Sequence, residues 1–308
     1  LGPVGGIVVP WVVIHHGSRA VWGEVVALMV VVQLAAHVLG WGSKDTLLRL
    51  FARSPVHVRH FWWDSLLTRS ALVPVMALVL FRYTTLPLLA LGWMVTLFLT
   101  AAFDALVIQR ERFAAAFLID ASALLVQVLG LHFLDTPSVP RIVGWMLIGQ
   151  LCRLAPLLFL FRLELAERPR FDARTHLINA LPFFLIGLSG LLGSRVDLYT
   201  MTALVDKDRL GAYQVITALF LQFQALSGLI SAPFTRELYR MPGASLRMAA
   251  LRLGRLGLLL LPIFLLVGWL VLEQLFRFKV SALTYVAGAL IAWPAFAYVP
   301  LITGLYKH

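Results

Sequence analysis

The sequence predicts an all-α polytopic membrane protein, and three observations predict it. Of the 308 residues, 60% are hydrophobic and only 13% are charged, with a mean hydropathy of +0.88. Soluble domains carry about 25% charged and roughly 45–50% apolar residues, so this balance leaves no water-compatible packing. Secondly, the apolar residues come in runs suited to crossing ~30 Å of hydrocarbon as helices, and none alternates in the manner of a barrel strand. Thirdly, the polar connections are short, the longest being 162–176, which leaves no room for a folded domain outside the membrane. A soluble enzyme, a disordered chain and a disulfide scaffold are excluded on the same grounds.

Ten segments follow, near residues 4–14, 21–41, 66–82, 86–108, 113–133, 139–161, 177–203, 210–232, 254–276 and 281–305. Runs of this kind satisfy their own backbone hydrogen bonds only as helices. The first segment is about half the length a crossing needs, so residue 1 is expected to lie inside a helix that begins earlier. Pro74, Pro156, Pro182, Pro233, Pro262 and Pro294 fall within or at the edges of segments, where proline frees a carbonyl and bends the helix. The single Cys152 excludes an internal disulfide and a cysteine-built zinc site, and the eight histidines lack metal-ligand spacing. Glycine patterns for nucleotides are absent. No metal, cofactor or nucleic-acid partner is therefore expected.

Orientation follows from the basic residues, of which 22 are Arg and 4 are Lys, in a net charge of +11. One set of alternate connections holds 17 of them, including Lys44, Arg49, Arg53, Arg59, Arg69, Arg162 and Arg236, and the other holds 7. Cytoplasmic loops are the Lys/Arg-rich ones, so the larger set faces the cytoplasm and the first segment runs outward. Trp41, Trp62 and Trp63 are expected at the inner interface, where amphipathic rings collect.

An internal repeat is also expected. Arg19-Ala20-Val21-Trp22-Gly23 opens the second segment and Arg209-Leu210-Gly211-Ala212-Tyr213 opens the eighth. Each glycine is followed by an Arg-x-x-x-Arg exit, Arg49/Arg53 after 26 residues and Arg236/Arg240 after 25. An offset near 188 residues makes the repeat unit six spans. Six is even, so the two halves share an orientation and are related by a pseudo-twofold axis along the membrane normal. The expected division is a six-helix lobe over 1–161, a cytoplasmic linker over 162–176 and a second lobe over 177–308 with four helices. Two further helices are expected beyond His308.

Charges inside spans are costly and mark functional candidates. Asp120 and Arg153 each sit roughly 12–14 Å from the cytoplasmic end of adjacent spans at the helical rise of 1.5 Å per residue, deep enough to pair. Such a pair either locks two helices or opens for a ligand or proton. Asp104 lies about 9 Å from Arg110 by the same rise, within reach of the inner interface. Arg195 and Asp197 lie deep in the seventh segment. There Gly187, Gly190, Ser194 and Asp197 share a helix face that either admits a close neighbour or lines a wet cavity.

Three features resemble the polysaccharide-transporter flippases of the multidrug/oligosaccharidyl-lipid/polysaccharide exporter superfamily. Trp22-Gly23-Glu24, an apolar helix and Gly40-Trp41-Gly42-Ser43-Lys44-Asp45-Thr46-Leu47-Leu48-Arg49 are similar to that family's second helix and inner loop. Arg195-Val196-Asp197 with Leu210-Gly211-Ala212-Tyr213 is similar to its seventh-to-eighth helix hairpin. The twofold six-helix plan is the third. The resemblance implies a bacterial inner-membrane protein of twelve to fourteen helices that moves a polyprenyl-pyrophosphate-linked oligosaccharide outward by alternating access, without being an enzyme. It makes Arg153 and Arg195 candidate diphosphate contacts, since guanidinium matches phosphate oxygens with several donors, with Asp104, Asp120 and Asp197 beside them. Lys44, Arg49, Arg53 and Arg236 become candidate attractors at the inner mouth, where they also face anionic lipid. H+ or Na+ is the expected coupling ion. A multidrug exporter of the same superfamily is the main alternative, and a lipid II flippase is a third reading. A membrane-embedded polysaccharide polymerase or acyltransferase is disfavoured by the short outer loops.

Overall fold

The computed structural model describes residues 2–162, 173–231, 234 and 242–305, and every regular element among them is helical. In chain order these are α1 (Gly2–His16), α2 (Arg19–Gly40), α3 (Ser43–Arg53), α4 (Val58–Ser70), α5 (Val73–Tyr83), α6 (Pro87–Ala102), α7 (Asp104–Gln109), α8 (Phe113–His132) and α9 (Val139–Leu160). They continue with α10 (Ala173–Leu204), α11 (Lys207–Ser231), α12 (Gly243–Trp269), α13 (Ala282–Ala292) and α14 (Ala295–Leu305). Among the described residues, eight helical stretches are long and apolar enough to cross a membrane, the architecture of a multi-pass α-helical membrane protein. Two of the ten expected segments are not among the eight. Val4–His16 is apolar but short, and α11 opens with Lys207, Asp208 and Arg209 and carries Gln214, Gln222 and Gln224.

Several spans are broken helices. Arg19–Arg53 combines α2 with α3, and Pro55–Tyr83 joins α4 to α5. The second break falls just before Pro74, in the first turn of α5, where its missing N–H costs nothing. Pro294 lies at the α13–α14 break, whereas Pro156, Pro182 and Pro262 stay inside helices. Pro233 lies outside the described residues. Three hydroxyls inside apolar helices are satisfied locally: Thr96 donates to Gly92 O at 3.0 Å, Thr100 to Thr96 O at 2.8 Å and Ser231 to Ser227 O at 2.7 Å.

The chain divides into two compact units, one holding residues 16–211 and the other residues 2–15 and 212–308. In the first, α6 packs against both α2 and α9, and α9 against α8. Trp93, Met94 and Phe98 from α6 are buried there. The early part of α10 packs on α2, α3 and α4. Trp41 stacks on Phe184 with ring centroids 4.2 Å apart and donates from Nε1 to Leu177 O at 3.2 Å. Gly42, at φ +62°, lets the chain turn tightly beneath α10, where a Cβ would strike the backbone at Phe183 and Phe184.

Trp62 is buried within the protein: it is 1% exposed, packs against Phe103 and donates from Nε1 to Ala102 O at 2.8 Å. Trp62→Phe removes this bond and leaves a carbonyl unmet at the α6–α7 break. We expect a loss of about 1–3 kcal/mol, the range for a buried group left unsatisfied, read as a lower unfolding midpoint in detergent. Two expectations change here. Arg69, counted above among the cytoplasmic loop charges, is buried. His176, placed above in the linker, is also buried, because α10 already begins at Ala173; residues 163–172 of that linker lie outside the described residues.

In the second unit, α12 packs along α14. Phe223 stacks on Phe264 with centroids 4.1 Å apart and meets Phe296 at 5.1 Å. Gly257 lies under the Phe296 ring and Gly288 under the Phe220 ring, places that a Cβ would fill. The end of α12 widens into a π-turn over Leu270–Leu275, and there Glu273 accepts a hydrogen bond from Tyr285 Oη at 3.2 Å.

The helix starts at Arg19 and Lys207 match residue for residue. Ser18 Oγ accepts from Val21 N at 3.2 Å, and Asp206 Oδ1 accepts from Arg209 N at 2.9 Å, each satisfying an orphan donor of the first turn. A Cβ on Gly23 would overlap the Lys207 carbonyl, and one on Gly211 would overlap the Arg19 carbonyl. Each glycine therefore sits on the first residue of the other's helix. Cap, capped N–H, first residue and glycine all pair at the single offset of 188 residues read from Gly23 and Gly211. Arg19 and Asp208, 3.4 Å apart, close the contact with an ion pair.

Candidate functional site

The charged site is set by the register of the α8–α9 hairpin. Beginning at its turn, Gly130 lies under the Trp145 ring and Gly149 lies against Gln127. Deeper along the same antiparallel hairpin, Asp120, seven residues before Gln127, is met by the long side chain of Arg153, four residues after Gly149. Arg153 Nε is 2.6 Å from Asp120 Oδ1, so the pair expected from helix rise is present. Asp104 joins it, since the α6–α7 break at Phe103 starts α7 with a carboxylate 3.8 Å from Arg153 Nη2. Phe103 is held by Trp62 and Phe161, with centroids 5.3 and 5.7 Å away. The break, and with it Asp104, is thus fixed by aromatic packing.

All three side chains are about a third exposed, at 30%, 33% and 39% for Arg153, Asp120 and Asp104. None of the three is sealed inside the protein. Lys44 of α3 lies within electrostatic reach of Asp104, so two cations face two carboxylates. One turn before Arg153, Gln150 Oε1 is buried with no hydrogen-bond partner among the described residues. A site of this composition can exchange an ion pair for an anionic ligand or take up a proton on a carboxylate.

The other expected residues are placed apart from this cluster. Arg49 and Arg53 lie with Lys44 on the exposed side of α3, while Thr46, Leu47 and Phe51 on its opposite side are buried. Arg195 is half-buried and Asp197 exposed, some 22 residues along α10. At 1.5 Å per residue that is roughly 30 Å from the start of α10, near the opposite end from the depth of Arg153. Gly187 on the small-residue face meets the His37 ring, whereas nothing lies within 4 Å of a Cβ at Gly190. Of these two glycines, Gly187 marks the close contact. Arg236 lies outside the described residues.

Sequence reasoning missed a second polar site in this unit. A cavity of about 400 Å³ is lined by Glu24, Tyr83, Thr84, Thr85, Thr202 and Lys207 among others. Glu24 follows the close-packed Gly23, and Lys207 supplies the carbonyl on which that glycine rests. The Trp22-Gly23-Glu24 run carried the signal, but Lys207, on the same cavity wall, lies 183 positions on in the sequence.

Comparison of the chain with protein-family models, with curated proteins and with solved structures returns no match.

Proposed function

We propose that this chain belongs to a flippase that carries a polyprenyl-pyrophosphate-linked oligosaccharide from the cytoplasmic to the outer leaflet of a bacterial inner membrane. Its mechanism is alternating access between two like-oriented six-helix repeats, ten spans of which lie in this chain. The observation that carries this reading is the matched pair of helix starts. Caps, first residues and glycines correspond at one offset, and each glycine rests on the other's first carbonyl. Duplicated bundles of like orientation are a transporter architecture, with substrate and coupling sites near the bilayer midplane. The glycolipid itself comes from the family resemblance of the second and seventh helices.

In this reading Lys44, Arg49 and Arg53 attract the diphosphate at the inner mouth. Arg153, released from Asp120 and Asp104, contacts it during passage, while the freed carboxylates take the coupling H+ or Na+. Arg195 receives it toward the outer side. No bond is made or broken, so the chain acts as a carrier and not as an enzyme.

One observation favours a second reading. Arg153 is engaged by two carboxylates, and a site whose central cation is so held suits a cation-coupled multidrug exporter. Proteoliposomes distinguish the two. A fluorescent polyprenyl-pyrophosphate oligosaccharide should gain time-dependent protection from a membrane-impermeant quencher, and Arg153→Ala should slow this at least tenfold. Accumulation of an organic-cation dye driven by a proton gradient, with no glycolipid protection, would establish the exporter instead.

A further inference from the structure

Arg69 is 1% exposed, and among the described residues no carboxylate forms an ion pair with it. Its Nε donates to Ser65 O at 2.9 Å, its Nη1 reaches Gly40 O at 3.4 Å, and the guanidinium carbon lies 5.1 Å from the centre of the Phe98 ring. The Gly40 carbonyl belongs to the last turn of α2, whose helix dipole favours a cation. These contacts hold the group in place but leave its full charge uncompensated and its Nη2 without a hydrogen-bond partner among the described residues. Buried guanidinium groups are ordinarily paired with an anion.

The polar groups around it are incomplete in the same way. Ser65, Thr68 and Arg69 stand at i, i+3 and i+4 and so share one face of α4. Ser65 Oγ and Thr68 Oγ1 are both buried without partners among the described residues. His176 enters from α10, which packs on α4, and lies within electrostatic reach of Arg69. Its Nε2 is likewise buried and unpartnered. Four unmet groups that can donate hydrogen bonds, one of them permanently cationic, thus belong to one enclosed layer between α4 and α10.

We infer that Arg69, Ser65, Thr68 and His176 form a buried binding site for a small inorganic anion the size of chloride, distinct from the Arg153 cluster. The ligand must be small because all four residues are at most 6% exposed, which closes the layer to a lipid headgroup or a glycan diphosphate. It is anionic because the one fixed charge among the unmet groups is the Arg69 guanidinium, while the Ser65 and Thr68 hydroxyls and the His176 Nε2–H tautomer can each turn a donor toward it. Bound there, the anion ties the inner end of α10 to α4 by serving both helices.

The test uses the full chain in detergent, with its unfolding midpoint followed as sodium chloride replaces sodium gluconate at constant ionic strength. The midpoint is expected to rise saturably with chloride, bromide is expected to substitute, and Arg69→Met is expected to abolish the dependence. Arg69→Met should also be no less stable than the wild type in gluconate, since an apolar group of similar length replaces an uncompensated charge. Should that variant fail to fold, Ser65→Ala/Thr68→Val should raise the half-saturating chloride concentration several-fold. A wild-type midpoint indifferent to the anion would overturn the site in favour of ordered water. A halide response unchanged in Arg69→Met, or one produced by phosphate and not by halide, would overturn it equally.

Discussion

Gly23→Ala and Gly211→Ala are each expected to lower the unfolding midpoint by several degrees, because a Cβ at either position meets a backbone carbonyl that no rotamer change can move aside. Forcing extra volume into a packed contact costs about 1–3 kcal/mol, and backbone on the receiving side places these two at the upper end. The substitutions share one contact, so their effects should be strongly non-additive. Once α2 and the first turn of α11 have separated, the second methyl group meets little further resistance. Gly144→Ala and Gly190→Ala provide the control. Nothing lies within 4 Å of a Cβ at either position, so alanine should be neutral or stabilising, up to about 1 kcal/mol from helix propensity. Thermal unfolding of the four single variants and the Gly23/Gly211 double variant checks the set.

Arg153→Gln is expected to destabilise the chain and to stop transport. It leaves Asp120 and Asp104 facing one another across a half-buried site. The pair lies between the exposed limit, where ion pairs contribute little, and the buried limit, where breaking one costs 3–5 kcal/mol. About 1–3 kcal/mol is the corresponding expectation. The exchange Asp120→Arg/Arg153→Asp separates the roles. If the pair is only a lock between α8 and α9, the exchange restores both stability and transport. On the present account it does not restore transport, because the new aspartate at 153 stands beside Asp104 and the cation has moved to the other helix. Unfolding midpoints together with initial rates in proteoliposomes decide between these outcomes.

Much of this arrangement was legible in the sequence, and particular residues show why the rest was not. The Asp120–Arg153 pair could be read because the two lie on consecutive helices joined by a short turn, where residue count converts to depth. The Gly23–Gly211 offset could be read because each glycine follows a helix start by the same number of residues. Arg69 was misread because a count of basic residues treats any arginine near a span end as solvated. In the structure α3 and the following turn fold the chain back so that α4 lies beneath α10. The cavity shared by Glu24 and Lys207, and the Tyr285–Glu273 hydrogen bond, depend on the meeting of separate segments that no local pattern encodes. The two compact units likewise group α10 with the N-terminal helices and most of α1 with the C-terminal ones, while hydropathy alone follows chain order.

The central claim is that two repeats of like orientation build this chain, and cysteine accessibility tests it most directly. In a Cys152→Ser background, single cysteines replace Gly17 and Val205, which precede the two matched caps. Further single cysteines replace Lys44 and Ala244, both exposed. The variants are labelled in right-side-out vesicles with an impermeant maleimide. The account predicts that positions 17 and 205 label at once, and that 44 and 244 label only after the membrane is opened. Labelling of 17 and 205 from opposite sides would contradict it, because the matched helix starts would then face different compartments.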